Sequence, residues 1–355
     1  MRILLFPVSL LYRIVIFVRN KLYDFRFIKV SSPNAAVISV GNVSTGGTGK
    51  TPMTEYLAEY FLSRGKSVVI VMKGYKRSFD DIQVAEIGYR DEKNILTVEK
   101  LGDEGLQILE NLADIKAPQG RGLLIVADDK RSGVRLADKK FKPEIIIIDD
   151  AFQHRSINRD LDVVMLNEKN SRLLLPAGDM REPFGNIKRA NIVVLNKKFS
   201  GVLFSKLETK RPSMIVSNYK FEYFLNAKEE ILDMSKTDIG VRATAFCGLA
   251  DPDSFKEMLE NLKINVINFI KFPDHHNFTP KDINQILDIF EKSNSKFIFT
   301  TQKDMMRLKY SAVSNHEETK KMLFNRPIYY ATISMQISKN EGEFNQTLEK
   351  FIKMQ

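Results

Sequence analysis

The sequence predicts an α/β fold in which a doubly wound, mostly parallel sheet is joined to a second, smaller α/β lobe by a two-stranded linker. Three features predict it. A glycine-rich stretch, 40–52, lies between an apolar run and a helical pattern. The run Ile145–Ile148 is β-branched throughout and precedes Asp149 and Asp150, as expected for a central strand covered on both faces. After about residue 205, two alternating strands enclose a shorter set of strands and helices.

The glycine-rich stretch reads Val-Gly-Asn-Val-Ser-Thr-Gly-Gly-Thr-Gly-Lys-Thr-Pro. Strand, glycine-rich turn and helix in this order predict a P-loop, whose backbone N–H groups surround a phosphate at the positive end of a helix dipole. The sheet is therefore predicted to be P-loop NTPase-like. Ser44 departs from the usual pattern, which has glycine there, and a purely structural turn is the alternative that Gly-Lys-Thr argues against. The predicted phosphate-binding residues are Thr45, Gly46, Gly47, Thr48, Gly49, Lys50 and Thr51.

Carboxylates at the end of a buried strand downstream of a P-loop are the Walker B arrangement, in which an aspartate holds the Mg²⁺ of the nucleotide. Asp149 and Asp150 occupy that position, and the sequence leaves open which of them contacts the ion directly. In the same scheme Lys50 reaches the outer phosphates and the Thr51 hydroxyl holds Mg²⁺.

The order of the remaining patterns predicts the domain organisation. The other strands of the first sheet are predicted at 67–72, 123–126, 162–166 and 191–195. The smaller unit is predicted to have strands at 243–247, 265–270 and 296–300 and helices at 253–262 and 280–291. The predicted domains are an N-terminal helix (1–30), the P-loop domain (31–211), a two-stranded linker (212–226 with 327–338), the smaller α/β domain (227–326) and a C-terminal helix that returns to the first domain (339–355).

Residues 1–30 combine an apolar helical pattern with basic residues. Ser9, Arg13, Asn20 and Asp24 fall on one stripe of a helical wheel, and apolar side chains cover the rest. The apolar run is interrupted and shorter than the roughly 20 residues that a membrane span needs. The pattern predicts a helix lying in the interface of an anionic membrane, and a core helix packed on the sheet is the alternative.

Composition limits the class of partner. The chain has 355 residues and a formal net charge of +10, which favours an anionic partner, namely phosphate, lipid headgroups or nucleic acid. The sequence has no basic helix with interleaved stacking aromatics, so nucleic-acid binding is not expected. The single cysteine, Cys247, excludes a disulfide framework and suits a reducing compartment.

Acidic and histidine residues outside the P-loop are ambiguous from spacing alone. Asp103 and Glu104 open a predicted helix, where acids often only match the helix dipole. His275 and His276 stand between a predicted strand and a helix that Thr279 caps, so a capping turn is as good an interpretation as a functional site. Zinc is not expected, because the four histidines and one cysteine are nowhere at ligand spacing.

These blocks, in this order, resemble the tetraacyldisaccharide 4′-kinase family, the lipid A 4′-kinases of Gram-negative bacteria. The resemblance runs over nearly the whole chain and is most specific in the P-loop ending at Lys50, Thr51 and Pro52 and in residues 149–155. The family loop also lacks a glycine at the position of Ser44. The matching segments are 40–52, 102–104, 149–162, 175–183, 246–248, 272–276 and 301–304.

The resemblance implies transfer of the γ-phosphate of ATP to the 4′-hydroxyl of a tetraacyldisaccharide 1-phosphate, a lipid, at the cytoplasmic face of the inner membrane. The resemblance implies that Asp103 is the base that orients the sugar hydroxyl and that His275 and Lys50 take part in catalysis. It implies that Asp150 and Gln153 contact the nucleotide near the transferred phosphate. It also implies that Thr51, Glu104 and Asp149 bind Mg²⁺.

Two positions depart from the family pattern. Lys73 stands where the family tends to have arginine, and Gln302 stands where glutamate is common. Closure of one lobe onto the other is expected to bring His275 to Asp103 and to exclude water, which competes with the sugar as phosphate acceptor.

A membrane-associated P-loop NTPase switch is the alternative function. Guanine-specific GTPases usually carry Asn-Lys-x-Asp after a late strand, and here Asn196-Lys197-Lys198 is followed by Phe199. The carboxylate that would bind guanine is missing, so the sequence favours a kinase over a guanine-nucleotide switch.

Overall fold

The computed structural model describes residues 5–74, 81–88, 97–115, 122–167, 173–199 and 214–353. Some positions named above lie outside these ranges: residues 1–4 of the N-terminal helix, 200–213 around the predicted start of the linker, and 354–355.

The strands of the described residues form one sheet of twelve, in the order β10-β9-β11-β12-β8-β7-β6-β1-β5-β2-β4-β3. The strands are β1 (Ala36–Asn42), β2 (Val68–Met72), β3 (Gln83–Ile87), β4 (Gly122–Val126), β5 (Ile145–Ile148), β6 (Leu161–Leu166), β7 (Ile192–Asn196), β8 (Ile215–Leu225), β9 (Arg242–Cys247), β10 (Asn265–Lys271), β11 (Phe297–Thr301) and β12 (Ile328–Lys339). β3–β4 and β8–β12 pair antiparallel, and the other neighbouring pairs are parallel. The predicted α/β fold with a mostly parallel sheet is confirmed.

The two alternating strands lie in the middle of this sheet. β8 and β12 pair along their length. On one side β8 pairs with β7, and the strands from β7 to β3 in the sheet order are called the first lobe. On the other side β12 pairs with β11, and β11, β9 and β10 belong to the second lobe. The backbone hydrogen bonds therefore run without a break from one lobe to the other. The division into separate domains joined by a linker stays a prediction.

The α-helices of the described residues are α1 (Phe6–Asp24), α2 (Lys50–Leu62), α3 (Val98–Asn111), α4 (Lys130–Leu136), α5 (Pro252–Asn261), α6 (Pro280–Lys292), α7 (Gln302–Tyr310), α8 (Glu317–Asn325) and α9 (Glu341–Lys353). Strand β3 and helices α4, α7 and α8 were not predicted. α7 lacks an apolar period because charged side chains, Asp304 and Arg307, lie on its buried side. α3 begins earlier than expected, at Val98, and is kinked at Gly102, which has φ 75°.

Apolar side chains cover both faces of the first-lobe sheet. Along β1, Val37 packs into one core cluster while Ile38 and Val40 pack into another, as the alternation of a strand requires. The C-terminal helix α9 packs on α2: the ring centroids of Phe351 and Phe61 are 6.0 Å apart. Because β1 and β5 are parallel neighbours, the segments that follow them meet at one edge of the sheet.

Helix α1 presents part of its polar stripe and Ile16 to the protein and most of its apolar side chains to solvent. Ser9 and Asn20 are buried, whereas Arg13, on the same predicted stripe, is exposed. Tyr12 Oη donates to the Arg181 carbonyl oxygen at 2.9 Å. The exposed apolar side chains on and around α1 are Leu5, Phe6, Val8, Leu10, Leu11, Ile14, Val15, Phe17, Val18, Leu22, Phe25 and Phe27. None of the helices in the described ranges combines the length and apolarity that a membrane crossing requires.

Candidate active site

The glycine-rich loop after β1 is held by side chains from two strands. Asn42, at the end of β1, donates to Thr48 Oγ1 at 2.9 Å, and Asn196, at the end of β7, donates to the Thr48 carbonyl oxygen at 3.1 Å. Gly49, directly before α2, has φ 92°, a left-handed conformation that favours glycine. A Cβ atom there would lie 2.1 Å from Asn196 Nδ2, so the close approach itself requires glycine.

A cavity of about 610 Å³ lies at the carboxyl ends of these strands and is lined by both lobes. The predicted site residues that line it are Thr45, Gly46, Gly47, Thr48, Gly49, Lys50, Thr51, Glu104, Asp149, Asp150 and His275. Asp103 and Gln153 are not part of this lining. The fold thus brings most of the predicted residues together from four separate stretches of the chain.

The two carboxylates after β5 have opposite electrostatic environments. Asp149 is buried and accepts from Thr54 Oγ1 at 3.1 Å; burial and the nearby Glu104 carboxylate raise its pKa to about 6. Burial acts in the same direction on Asp150, but Lys50 and Arg181 outweigh it and lower the pKa of Asp150 to about 2. Asp150 is therefore ionised at neutral pH, whereas the negative charge of Asp149 is not fully compensated by neighbouring cations.

Asp150 lies at the centre of a cluster of cations. Arg181 Nη1 donates to both of its carboxylate oxygens, at 2.9 and 3.0 Å, and Lys50 Nζ is 3.7 Å from Oδ1. The buried Lys130 donates to the Asp150 carbonyl oxygen at 2.6 Å. With the neighbouring Asp149 counted, three cations lie beside two carboxylates, which leaves one excess positive charge at this end of the cavity and suits an anionic ligand.

Asp103 forms the second cluster, which joins the lobes. Its buried carboxylate accepts from Arg307 Nε at 2.9 Å and from Arg307 Nη2. His275 Nδ1 lies 3.0 Å from the same oxygen, Oδ2. Burial opposes ionisation, but His275 and Arg307 hold the pKa of Asp103 well below its usual range. Asp103 is thus a carboxylate whose charge is fixed and whose histidine partner faces the cavity.

Arg307 is itself fixed within the second lobe. Its Nη1 donates to Asp304 Oδ1 at 2.8 Å and to the Gly248 carbonyl oxygen at 3.3 Å, and Asp304 accepts from the Gly248 N–H. Thr301 begins α7 with a cap: its side chain accepts from the Asp304 N–H. The start of α7 therefore positions the guanidinium that reaches Asp103.

Glu104 lies next to this cluster and faces the first lobe's carboxylates. Its side chain contacts Lys303 of α7. Burial acts to raise the pKa of Glu104, but the charge of Lys303 outweighs burial and lowers this pKa. Within the described ranges, no three His, Cys, Asp or Glu side chains are grouped as a metal site. A site made of Glu104, Asp149 and the Thr51 hydroxyl would need further ligands from a phosphate or water.

Gln153 lies outside the lining of the cavity. Its side chain donates to the Asn42 carbonyl oxygen at 2.8 Å, and its own carbonyl oxygen accepts from Arg19 of α1 at 2.5 Å. The contact supports the end of β1 rather than lining the cavity. A role near the transferred phosphate stays a prediction.

Sequence reasoning missed four cations of the site: Lys130, Arg181, Lys303 and Arg307. Arg181 and Lys303 lay inside matching segments without being singled out, and Lys130 followed a predicted strand. For Arg307 the signal was the capping pattern Thr301-x-x-Asp304, which marks a helix start one turn before it.

A family model and relatives of known name match this chain and carry the same description. The model of the family described as tetraacyldisaccharide-1-P 4'-kinase (LpxK) matches residues 1–353. The tetraacyldisaccharide 4'-kinase of Aquifex aeolicus is 35% identical, over 86% of this chain and 89% of the relative. That of Pelodictyon phaeoclathratiforme is 30% identical, over 99% of this chain and 98% of the relative.

The fold is similar to that of a solved member. A crystal structure of the "apo" form of LpxK from Aquifex aeolicus in complex with ATP superposes with a TM-score of 0.70 at 29% identity, covering 99% of this chain and 98% of that one. The family match over almost the whole chain, the relatives above 30% identity and this common fold agree. The chain belongs to the tetraacyldisaccharide-1-P 4'-kinase family and is an enzyme.

Proposed function

We propose that this kinase transfers the γ-phosphate of ATP to the 4′-hydroxyl of a tetraacyldisaccharide 1-phosphate, a step of lipid A biosynthesis, at the cytoplasmic face of the inner membrane. The observation that carries the proposal is the cavity between the lobes. The glycine-rich loop and the Asp150 cluster line it together with His275, whose Nδ1 lies 3.0 Å from the buried Asp103 carboxylate. Phosphate-binding groups facing a histidine base are what transfer to a hydroxyl requires.

The first lobe supplies the nucleotide contacts. The backbone of the loop 45–51 and the start of α2 bind the phosphates, and Lys50 neutralises charge on the outer ones. Asp150 holds Lys50 and Arg181 on the same side of the cavity, at 3.7 and 2.9 Å. Those cations stabilise the charge that develops on the transferred phosphoryl group.

The pair of His275 and Asp103 accepts the proton of the sugar hydroxyl. Asp103 lies on the Nδ1 side of the ring, at 3.0 Å, so the sugar hydroxyl would approach the Nε2 side, where Asp274 Oδ1 is 3.9 Å away. When the ring takes up the proton, the fixed charge of Asp103 stabilises the imidazolium. Asp103 thereby acts as part of the base, and Arg307 keeps it in position.

Mg²⁺ would be held by Thr51, Glu104 and Asp149. Mg²⁺ typically takes one or two carboxylates together with substrate phosphates and water, which fits this donor set. The raised pKa of Asp149, which results from burial and from Glu104, marks a place where a cation is needed. When bound, the ion supplies charge neutralisation at the phosphates.

The lipid acceptor would reach the site along α1. Its exposed apolar side chains include Leu11 and Phe17, with 64% and 60% of their surface accessible. A continuous apolar surface of this kind on a folded protein indicates contact with a membrane or a partner. Arg13, Lys21 and Arg26 stand on or beside the helix and would meet anionic headgroups.

The test is transfer of label from γ-labelled ATP to purified tetraacyldisaccharide 1-phosphate in detergent micelles. We expect labelled lipid with the wild type and a loss of roughly a hundredfold or more in Asp103→Ala, the range that general base catalysis contributes. A matched control is Asp238→Ala, which removes a carboxylate from an exposed turn of the second lobe and should retain full transfer.

Three outcomes separate the alternatives. Labelled lipid with little loss in Asp103→Ala would keep the kinase and remove Asp103 from the base. Absence of labelled lipid, together with ATP hydrolysis stimulated by vesicles, would favour the membrane-associated switch. Lipid binding without any use of ATP would contradict both.

A further inference from the structure

We propose that Lys303 is a catalytic residue whose ammonium group neutralises Glu104 until Glu104 binds Mg²⁺, and then binds the transferred phosphoryl group. The proposal rests on the proposed function and gives a role to a cation that the chemistry described above leaves unused. Lys303 lies in the first turn of α7, and its side chain lines the cavity between the lobes.

The ends of two helices fix where Lys303 and Glu104 meet. α3 is kinked at Gly102, so Asp103 and Glu104 stand at the start of a new helical segment, and the Glu104 N–H donates to Asp103 Oδ1 at 3.0 Å. α7 begins directly after its Thr301 cap, which places Lys303 in the first turn. Lys303 Nζ contacts Glu104 Oε1, and 23% and 24% of the two side chains are exposed. The ion pair therefore lies in the wall of the cavity and in reach of a ligand there.

Glu104 offers the same oxygens to Lys303 and to a metal ion. Burial and the charge of Asp103 act to raise the pKa of Glu104, but Lys303 outweighs them and lowers it. Burial and the charge of Glu104 in turn raise the pKa of Asp149. A carboxylate among other carboxylates needs a cation beside it, and Lys303 provides one. Lys303 and Mg²⁺ are therefore competitors for Glu104.

The charge of Lys303 acts on the base as well as on Glu104. Burial opposes the ionisation of Asp103, whereas His275 and Arg307 hold its pKa below the usual range. The charge of Lys303 adds to their effect. In the proposed reaction the phosphoryl group passes from the Mg²⁺ side, at Glu104, to a hydroxyl beside His275. Lys303 acts on a carboxylate of each side and therefore lies along this path.

A lysine side chain can change partner in this way. Its four-carbon stem is flexible and its ammonium group has three donors, so the group can leave a carboxylate for a phosphate oxygen while the helix stays in place. A divalent ion at Glu104 repels the ammonium group, whereas the oxygens of the phosphoryl group attract it. Lys50 and Arg181 reach the phosphates from the first lobe, and Lys303 adds a cation from the second.

The first measurement requires no catalysis. Binding of Mn²⁺ to the full-length protein without nucleotide is followed by the electron paramagnetic resonance signal of free Mn²⁺. Lys303→Met removes the competing charge and keeps an apolar stem, so the affinity for Mn²⁺ is expected to rise about tenfold or more. Glu104→Gln added to Lys303→Met should abolish this gain. Lys320→Met is the matched control and should leave the affinity unchanged, because Lys320 pairs with Glu317 at 3.6 Å on an exposed helix of the same lobe.

The second measurement is transfer from MgATP to tetraacyldisaccharide 1-phosphate in detergent micelles. Lys303→Met is expected to lower kcat at least about a hundredfold with KM for ATP changed less than about threefold, because the contact forms during transfer. Lys303→Arg keeps the charge, so its kcat should exceed that of Lys303→Met at least about tenfold, and it should bind Mn²⁺ as weakly as the wild type. Lys320→Met should transfer at the wild-type rate.

The proposal is overturned if Lys303→Met binds Mn²⁺ no more tightly than the wild type, or if it keeps the wild-type kcat. Equal kcat values in Lys303→Arg and Lys303→Met also overturn it. If Lys303→Met does not fold, acetylation of lysines in the wild type replaces it. Saturating Mn²⁺ should then raise the labelling rate of Lys303 at least about threefold and leave that of Lys320 unchanged, because loss of the ion pair favours the reactive neutral amine. An unchanged rate at Lys303 overturns the proposal.

Failure of the proposed function would look different. A wild-type protein that transfers no phosphate to lipid would refute that function, whereas the Mn²⁺ measurements would still decide whether Lys303 competes with a metal ion for Glu104.

Discussion

A buried carboxyl behind the phosphate loop should make the stability of this protein fall as the pH rises. Glu55 on α2 is buried and accepts from Gln107 Nε2 at 3.2 Å and from Asn111 Nδ2 at 3.0 Å, both on α3. Asn111 in turn accepts from Gln302 Nε2 of α7 at 2.6 Å. The network thus connects the helix of Lys50, the helix of Asp103 and the helix of Arg307.

Burial raises the pKa of Glu55 from 4.5 to about 8. Below pH 4.5 the carboxyl is neutral in both the folded and the unfolded chain, and its contribution to stability is fully present. Between pH 4.5 and about 8 the unfolded chain releases the proton while the folded chain keeps it, so the free energy of unfolding falls as the pH rises. At 1.36 kcal/mol per pKa unit, the loss attributable to this group between pH 5 and pH 8 is roughly 3–4 kcal/mol.

Glu55→Gln replaces the carboxyl with a neutral group of the same shape and should remove this loss. We expect the variant and the wild type to be similarly stable at pH 5 and the variant to be more stable at pH 8 by roughly 3 kcal/mol, measured by urea unfolding. Glu59→Gln, on the exposed side of the same helix, is the matched control and should keep the wild-type pH dependence. An identical pH dependence in Glu55→Gln and the wild type would show that Glu55 is ionised in the folded protein and that the reasoning is wrong.

Two further predictions concern the loop and α1. Gly49→Ala would place a methyl group 2.1 Å from Asn196 Nδ2, so the affinity of this variant for ATP, measured by calorimetry, should drop at least about tenfold. The control Gly342→Ala in α9, where the space is open, should leave that affinity unchanged. Leu11→Asp combined with Phe17→Asp removes apolar contacts worth about 1.5–3 kcal/mol each, so the affinity for anionic vesicles, measured by sedimentation, should fall at least about a hundredfold. The double variant should still transfer phosphate to lipid in detergent. The control Ile239→Asp, at a side chain 94% exposed in the second lobe, should leave vesicle binding intact. Unchanged vesicle binding in the double variant would show that α1 is not the membrane contact.

The sequence predicted best what short stretches of chain decide by themselves. A strand, a glycine-rich turn and a helix follow each other between Ala36 and Leu62, and the apolar run before Asp149 is uninterrupted. Both patterns can therefore be recognised from residues that are close together in the sequence. Because parallel strands end at the same sheet edge, the meeting of these two segments also followed from the fold class.

The inter-lobe cluster could not be predicted in the same way. Arg307 lies 204 residues from Asp103 along the chain, and Lys303 lies 199 residues from Glu104. Their helix buries Asp304 and Arg307 together with its apolar residues, which weakens the periodic signal on which helix prediction depends. Spacing alone left Asp103 and Glu104 as acids that match a helix dipole, and only the family resemblance indicated otherwise.

Helix α1 shows what a helical wheel leaves open. A core helix would bury its apolar side, whereas a helix in a membrane interface would turn that side toward lipid, and contact with a membrane stays a prediction. In the structure two polar residues, Ser9 and Asn20, are buried together with Ile16, and most of the apolar side chains face outward. A helical wheel gives the stripe but not the direction in which it faces, because that depends on polar partners such as the Leu174 carbonyl oxygen, which are distant in the chain.

The contacts of α1 also divide the proposed reaction between the lobes. Tyr12 binds the carbonyl oxygen of Arg181, whose guanidinium holds Asp150, and Arg19 binds that of Gln153, whose side chain supports Asn42. The apolar helix and the residues proposed to bind phosphate are therefore parts of one packed unit. A lipid bound along α1 would keep a fixed relation to the nucleotide phosphates. In the proposed reaction the second lobe would bring a histidine to the acceptor hydroxyl and would close the cavity to water.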